Sequence, residues 1–385
     1  VRFLAAIILL SVAFSLSAAS VRFGPETPAT TRDSLGSQTD VAVASAGGDP
    51  IIAWREGAAI RARRGTGQEI TVATTIFTYG PVGLAADNET VWMWWLDRGS
   101  VFVRRYHADL QPIDPAPLAA AATQSMPAAA AGSGKLLLTW SAYAYPDADL
   151  VCLVLDNDGP LNATPFPLAP ALNTDHDPAV VWTGSDFVVA WAHQLYADFR
   201  DGGLPPVEDD IRIAHVTTSG GQSPPVTIPY DHAAANVRIA ARAADLAVAW
   251  EYVGWSPGAF GGISGSIIRA GVPSAVQRWV DATNLSSLGD LVARRDDYLI
   301  VWREAASNTE WRFAHRLIDR DGVPDAVTTF SPMPQWSSLA VIRAGAFGTI
   351  PFLVYSRAVD DAPFNGALRL FVRLPDLAPR LRTVR

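Results

Sequence analysis

Aromatic residues stand beside carboxylates in three stretches of this sequence. SAYAYPDAD carries Tyr143, Tyr145 and Asp147. AHQLYADFRDGGLPPVEDD, from Ala192 to Asp210, carries Tyr196, Phe199, Arg200, Asp201, Glu208, Asp209 and Asp210. EYVGWSPGAFGG carries Tyr252, Trp255 and Phe260, and Asp175-His176-Asp177 precedes another apolar run. Aromatic faces stack on sugar rings or apolar side chains while carboxylates accept from hydroxyl and amide groups, so the set suits recognition of a glycan, a peptide or a protein surface. Carboxylates also suit a calcium-dependent contact. However, Asp156-Asn157-Asp158-Gly159 and Asp319-Arg320-Asp321-Gly322 lack the remaining acidic ligands at calcium-loop spacing and read as tight turns. No cofactor and no metal is therefore expected.

Catalytic chemistry has a thinner basis. A glycosidase needs two carboxyl groups across the scissile bond, and Asp177 with Glu251 is one pair available for that role. The six histidines form no HxH or HExxH arrangement, which disfavours a metal hydrolase. His215 and His315 are expected to fill one structural slot at matching positions of two strands. Cys152 is the single cysteine, so disulfides within the chain and a thiolate zinc cage are excluded. The net charge of −8, with no run of basic residues, argues against a nucleic-acid partner. Lys135 is the single lysine among 30 basic residues, a bias that fits a GC-rich bacterial coding sequence and makes alanine weak evidence for helix.

Residues 1–20 place one arginine ahead of an apolar run that ends in small residues, the pattern of a signal peptide. A secreted or periplasmic monomer is expected. No later stretch is apolar enough to insert in a membrane.

The elements that must position these residues follow from an internal repeat. Six windows of equal length end at Trp54, Trp94, Trp140, Trp191, Trp250 and Trp302, among them DVAVASAGGDPIIAW, DPAVVWTGSDFVVAW and LGDLVARRDDYLIVW. A seventh, ending at Tyr355, is read with a slightly longer turn. Each window is an apolar run, a turn rich in Gly, Asp or Asn, and a second apolar run ending in the aromatic, which is a β-hairpin. Third and fourth strands follow, as in IRIAHVTTSG and PPVTIPY. The repeated aromatic is expected to be core, filling the wedge between neighbouring sheets.

In this spacing the chain resembles the divergent β-propellers of secreted bacterial proteins. It has no sialidase Asp-box, no tryptophan-aspartate pair and no kelch glycine doublet. The resemblance implies an all-β fold over residues 21–385, most simply seven four-stranded antiparallel blades at about 40–76, 77–123, 124–172, 173–231, 232–284, 285–332 and 333–385. It also implies that the three aromatic-acidic stretches, read as inserted loops of blades 3 to 5, share one face with His176 and Asp177. The expected function is non-catalytic binding or scaffolding, with a carbohydrate-active hydrolase as the alternative. The segment 21–30 is expected to close the ring, with Val21 to Phe23 lying beside LRLFVRLPD.

Overall fold

The computed structural model describes residues 21–31, 36–77, 80–87, 89–122, 125, 127–144, 147–170, 174–195, 208–230, 232–253, 262–281, 286–307, 310–334, 340–359 and 367–376. After the short strand β1 (Thr27–Pro28), the regular elements among them are strands grouped into sheets. The first sheet holds β2 (Gln38–Ala46), β3 (Asp49–Glu56), β4 (Ala59–Arg64) and β5 (Ile70–Thr74). Next come β6 (Val82–Ala86), β7 (Thr90–Asp97), β8 (Ser100–His107) and β9 (Leu118–Ala122). An eight-stranded sheet combines two hairpin runs. One is β10 (Ala128–Gly132), β11 (Lys135–Ala144), β12 (Asp147–Asp156) and β13 (Phe166–Leu168), and the other is β14 (Thr174–Trp182), β15 (Phe187–Leu195), β16 (Glu208–Val216) and β17 (Val226–Tyr230). A single parallel pair, Ala148 with Thr174, joins the two runs.

The fourth sheet holds β18 (Ala233–Arg242), β19 (Asp245–Val253), β20 (Ile263–Arg269), β21 (Val272–Pro273) and β22 (Gln277–Val280). The fifth holds β23 (Ser286–Ala293), β24 (Asp297–Ser307), β25 (Glu310–Asp319) and β26 (Thr328–Pro334). In the last, β27 (Ile342–Phe347), β28 (Ile350–Ala358) and β29 (Leu368–Arg373) are joined by β1.

Second strands such as FVVAW and YLIVW are apolar at every position because neighbouring sheets cover both of their faces. Phe187 to Ala192 are all fully buried. Trp54, Trp191, Trp250, Trp302 and Tyr355 are also fully buried, and Trp94 and Trp140 are exposed by only 5% and 3%. These aromatics are core, each removing a large apolar surface from water between two sheets. The arrangement is an all-β β-propeller.

The first and last sheets pack together through Val41, Ile52, Trp54, Phe352, Val354 and Leu370, and Ser45 Oγ donates to the Ala346 carbonyl at 2.8 Å. The ring is thus closed by side-chain packing as well as by β1. The segment 21–30 runs beside the end of the chain: Phe23 bridges Pro375, the Asp376 amide donates to the Arg22 carbonyl at 2.7 Å and the Gly24 amide to the Leu374 carbonyl at 2.9 Å. The pairing continues downstream, where Thr27 pairs with Val372 and Pro28 with Phe371. Glu26, partly exposed, accepts from Tyr355 Oη at 2.6 Å and from Arg357 Nη2 at 2.5 Å, which ties the segment to β28.

Three expectations are corrected. SAYAYPDAD is not an open insertion, since Tyr143 pairs with Ala148 and Ala144 with Asp147, extending β11 and β12 into a tight hairpin. The seventh hairpin has no longer turn, because Phe347 pairs with Ile350 around two residues, as Arg242 pairs with Asp245. His215 and His315 do not share a slot. His215 lies opposite Val188 with a half-exposed side chain, whereas His315 lies opposite Val301, is 5% exposed and packs edge-on against Phe23 at 5.2 Å.

Arginines tie neighbouring sheets together through backbone carbonyls. Arg55 Nε donates to the Gly80 carbonyl at 3.0 Å, and Arg303 Nη1 donates to that of Ala340 at 2.9 Å. Arg105 Nη1 sits on the carbonyls of Asp156, Asn157 and Gly159 at 2.9, 2.6 and 2.9 Å, so a guanidinium fills the one calcium-like turn. In the other, Asp319 Oδ1 accepts from the amides of Asp321 and Val323 at 2.8 Å each, a side-chain-capped turn.

Candidate functional site

The innermost strands begin irregularly, and that irregularity builds the site. Strand register jumps between Thr39 and Ala42, His176 and Ala179, Ala235 and Arg238, and Leu288 and Asp290. Asp40, Asp177 and Asn236 hold φ of 50°, 50° and 52°, a left-handed conformation that Asp and Asn tolerate better than most side chains. A bulge of this kind bends the strand and re-aims the residues around it. In the fifth sheet the extra residue is Gly289, where a Cβ would lie 2.6 Å from Ile342 Cγ2 and 2.7 Å from its carbonyl oxygen. Only glycine fits there.

In each repeat, past the bulge where there is one, one residue faces the propeller axis. It lies twelve positions before the repeat aromatic, as 54 − 42 and 250 − 238 show: Ala42, Val82, Ala128, Ala179, Arg238, Asp290 and, before Tyr355, Arg343. All of these line one axial pocket of about 280 Å³. The pocket has two unlike walls. On the side of the first sheets it is apolar, with Val43, Leu84, Pro127 and the edge of Trp94. On the opposite side it presents Asp177, Asn236, Arg238, Asp290 and Arg343.

Most polar groups of the second wall are already engaged between sheets. The Asn236 amide donates to Asp177 Oδ2 at 3.0 Å, and Asn236 Nδ2 donates to Glu251 Oε1 at 2.6 Å and to the Leu288 carbonyl at 2.7 Å. Glu251 Oε1 also accepts the Leu288 amide at 2.5 Å. Glu251 is therefore a latch between the fourth and fifth sheets and does not line the pocket. Burial raises its carboxyl above the ordinary value, with Asn236 and the Leu288 amide offsetting part of that. Asp290 is likewise raised by burial, against the pull of Arg238 and Arg343.

A second polar group lies at the start of β14. Asp175 is fully buried, and its Oδ1 accepts from Trp191 Nε1 at 2.8 Å and meets His193 Nδ1 at 2.7 Å. His176 Nδ1 lies 3.4 Å from Asp177 Oδ2. Burial disfavours the His176 imidazolium, but the Asp177 bond and the charges of Asp177, Asp209 and Asp175 outweigh it and raise its pKa. Asp177 is lowered in turn: burial pushes it up, and the His176 bond, the Asn236 amide and Arg238 push it down further.

The structure brings together part of the set expected from sequence. Asp177 lines the pocket and His176 adjoins it. Asp209 is 1% exposed; its Oδ2 accepts the Ala234 amide at 2.5 Å, and its Oδ1 is buried with no hydrogen-bond partner among the described residues. Asp210 is partly buried opposite His193. Tyr252 is partly buried, 4.9 Å from the His232 ring, with the Arg278 guanidinium 5.6 Å above its face. Tyr143, Asp147 and Glu208 stand in β11, β12 and β16. Tyr145, Tyr196, Phe199, Arg200, Asp201, Trp255 and Phe260 lie outside the described residues. Arg238, Asp290 and Arg343 escape the sequence reading, although the aligned windows hold them in one column.

No protein-family model and no curated protein matches this sequence. Solved structures are similar to it in fold. The β-propeller domain of the Trilobed protease from Pyrococcus furiosus is 10% identical over 88% of this chain and 93% of that one, with a TM-score of 0.52. A protein of unknown function from Dyadobacter fermentans is 10% identical over 92% and 98%, with a TM-score of 0.51. An alpha-L-arabinofuranosidase from Lactobacillus brevis is 12% identical over 65% and 89%, with a TM-score of 0.39. The first of these supports the propeller fold, and none carries anything about activity.

Proposed function

We propose that this chain is an exported, non-catalytic binding propeller of seven blades whose axial pocket and adjoining rim recognise a glycan. The blade count treats the eight-stranded sheet as two blades, because one bridge is all that joins its halves. The observation that carries the functional reading is the division of the pocket into an apolar wall with Trp94 and a polar wall with Asp177, whose Oδ1 has no hydrogen-bond partner among the described residues. A sugar ring has the matching character, one face of C–H groups and a rim of hydroxyls. The aromatic and acidic residues of segments 196–210 and 252–260 are proposed to extend this surface. Hydrolysis is disfavoured because Glu251, the expected partner of Asp177, spends one oxygen on two donors and stays off the pocket. A glycan array on residues 21–385, run beside an assay of pooled chromogenic glycosides, tests the reading. Binding without turnover is the expected result. Turnover abolished by Asp177→Asn would overturn it.

A further inference from the structure

We infer that the axial pocket takes the carboxylate of an acidic sugar, held between the guanidinium groups of Arg238 and Arg343, with a ligand hydroxyl donating to Asp177. The inference rests on the proposed glycan reading of the pocket and names the sugar class it would select.

The two arginines come from different sheets and converge on one atom. Arg238 Nε and Arg343 Nη1 donate to the Gly289 carbonyl at 3.1 and 3.2 Å. Their remaining bonds are also to backbone, Arg238 Nη1 to Val237 at 2.8 Å and Arg343 Nη1 to Ile342 at 3.0 Å. Among the described residues, Nη2 of each finds no hydrogen-bond acceptor and no carboxylate lies within ion-pairing distance of either group. Asp290 is near, but its oxygens face the amides of Leu291 at 3.0 Å and Ala344 at 3.4 Å. Two like charges are thus held together by backbone geometry, with no carboxylate in direct contact. Burial, and after it the charge of Arg238, pushes Arg343 down to about 10, against the pull of Asp290, Asp40 and Glu251. Their unused N–H donors match the two oxygens of a carboxylate.

The rest of the pocket narrows the anion. Asp177 and Asp290 share the wall and oppose a multiply charged phosphate or sulfate, while Trp94 and Leu84 opposite require a carbon face. Asp177 Oδ1 remains to accept one hydroxyl. A volume of about 280 Å³ falls just below the roughly 300–1,000 Å³ of ligand sites, a size for one sugar residue rather than a chain of them.

Isothermal titration of the mature protein at pH 7 with D-glucuronate, D-galacturonate, the matching neutral hexoses, L-alanine and inorganic phosphate decides the matter. The expected result is that a hexuronate binds at least about tenfold tighter than its neutral hexose, that this advantage shrinks from 50 to 500 mM salt, and that Arg343→Gln removes the advantage. Equal binding of acid and neutral sugars by the wild type overturns the carboxylate assignment and leaves the glycan reading standing. Phosphate or alanine binding in place of the hexuronate overturns it too. If no sugar or glycan of any charge binds, the glycan reading itself fails. Should Arg343→Gln not fold, the wild-type comparison and Arg238→Gln separate the same outcomes.

Discussion

Trp54 and Trp191 occupy the same repeat position and are both fully buried, yet their indole nitrogens meet different surroundings. Trp191 Nε1 donates to Asp175 at 2.8 Å, whereas Trp54 Nε1 is buried with no partner. Replacing each by phenylalanine removes a similar ring volume and differs in the fate of one N–H. At Trp54 the change deletes an unsatisfied donor, which recovers part of the roughly 1–3 kcal/mol such a group costs. At Trp191 it strips a donor from a buried carboxyl group that then keeps only His193, a loss of about 1.5–3 kcal/mol if the carboxyl is ionised. Trp191→Phe should therefore cost at least about 2 kcal/mol more than Trp54→Phe. Urea unfolding followed by far-UV circular dichroism measures the difference, with equal m-values required for the comparison. Costs that agree within about 0.5 kcal/mol would show that the Asp175 bond contributes nothing and would refute the reasoning.

Glu26→Gln should lower stability at pH 7 by about 1–2 kcal/mol. The Glu26 carboxyl, raised by burial but lowered more by Arg357 and Tyr355, lies below its ordinary 4.5, so its stabilisation is complete above that pH and is lost as pH falls through the lower folded value. Thermal melts of the two proteins should accordingly converge as pH falls below the ordinary carboxylate range. His315 is held down to about 4 from 6.5 by burial first and then by Arg294 and Arg373, so the folded state resists a proton that the unfolded chain accepts. Stability should fall as pH drops from 6.5 to 4, by up to about 3 kcal/mol, and His315→Phe should flatten that limb in pH-dependent urea titrations. Cys152 is buried and its thiol is pushed up to about 12, so Ellman's reagent should leave it untouched in buffer and titrate one thiol in 6 M guanidinium.

The hairpins are legible in the sequence because a core aromatic has to recur at one register if every sheet fills the same wedge. The axial column is present in the same alignment but does not stand out, because four of its members are Ala or Val and a mixed column carries no motif. Only the ring brings Arg238, Asp290 and Arg343 to one axis. Three of the bulges have a local trace in Asp40, Asp177 and Asn236, residues suited to positive φ at the start of their windows. Nothing in the sequence distinguishes Glu251 as a latch from Glu251 as a catalyst, since the distinction lies in which backbone amide approaches it. The tight β11–β12 hairpin reads as a loop from sequence because Pro146 and the small residues around it lack the apolar alternation of a strand.

Four of the ties that cross from one sheet to the next run from guanidinium to main-chain carbonyl: Arg55 to Gly80, Arg105 to the turn at Asp156, Arg238 to Gly289 and Arg303 to Ala340. A carbonyl oxygen is the same atom whichever residue bears it. The donor side of each tie is specified and the receiving side is anonymous, so a neighbouring repeat can exchange its side chains there without severing the joint. Paired side chains would oblige both copies to change together. Joints of this kind let each repeat drift alone, which accounts for copies that still stack into one ring while sharing little beyond an aromatic residue and a turn.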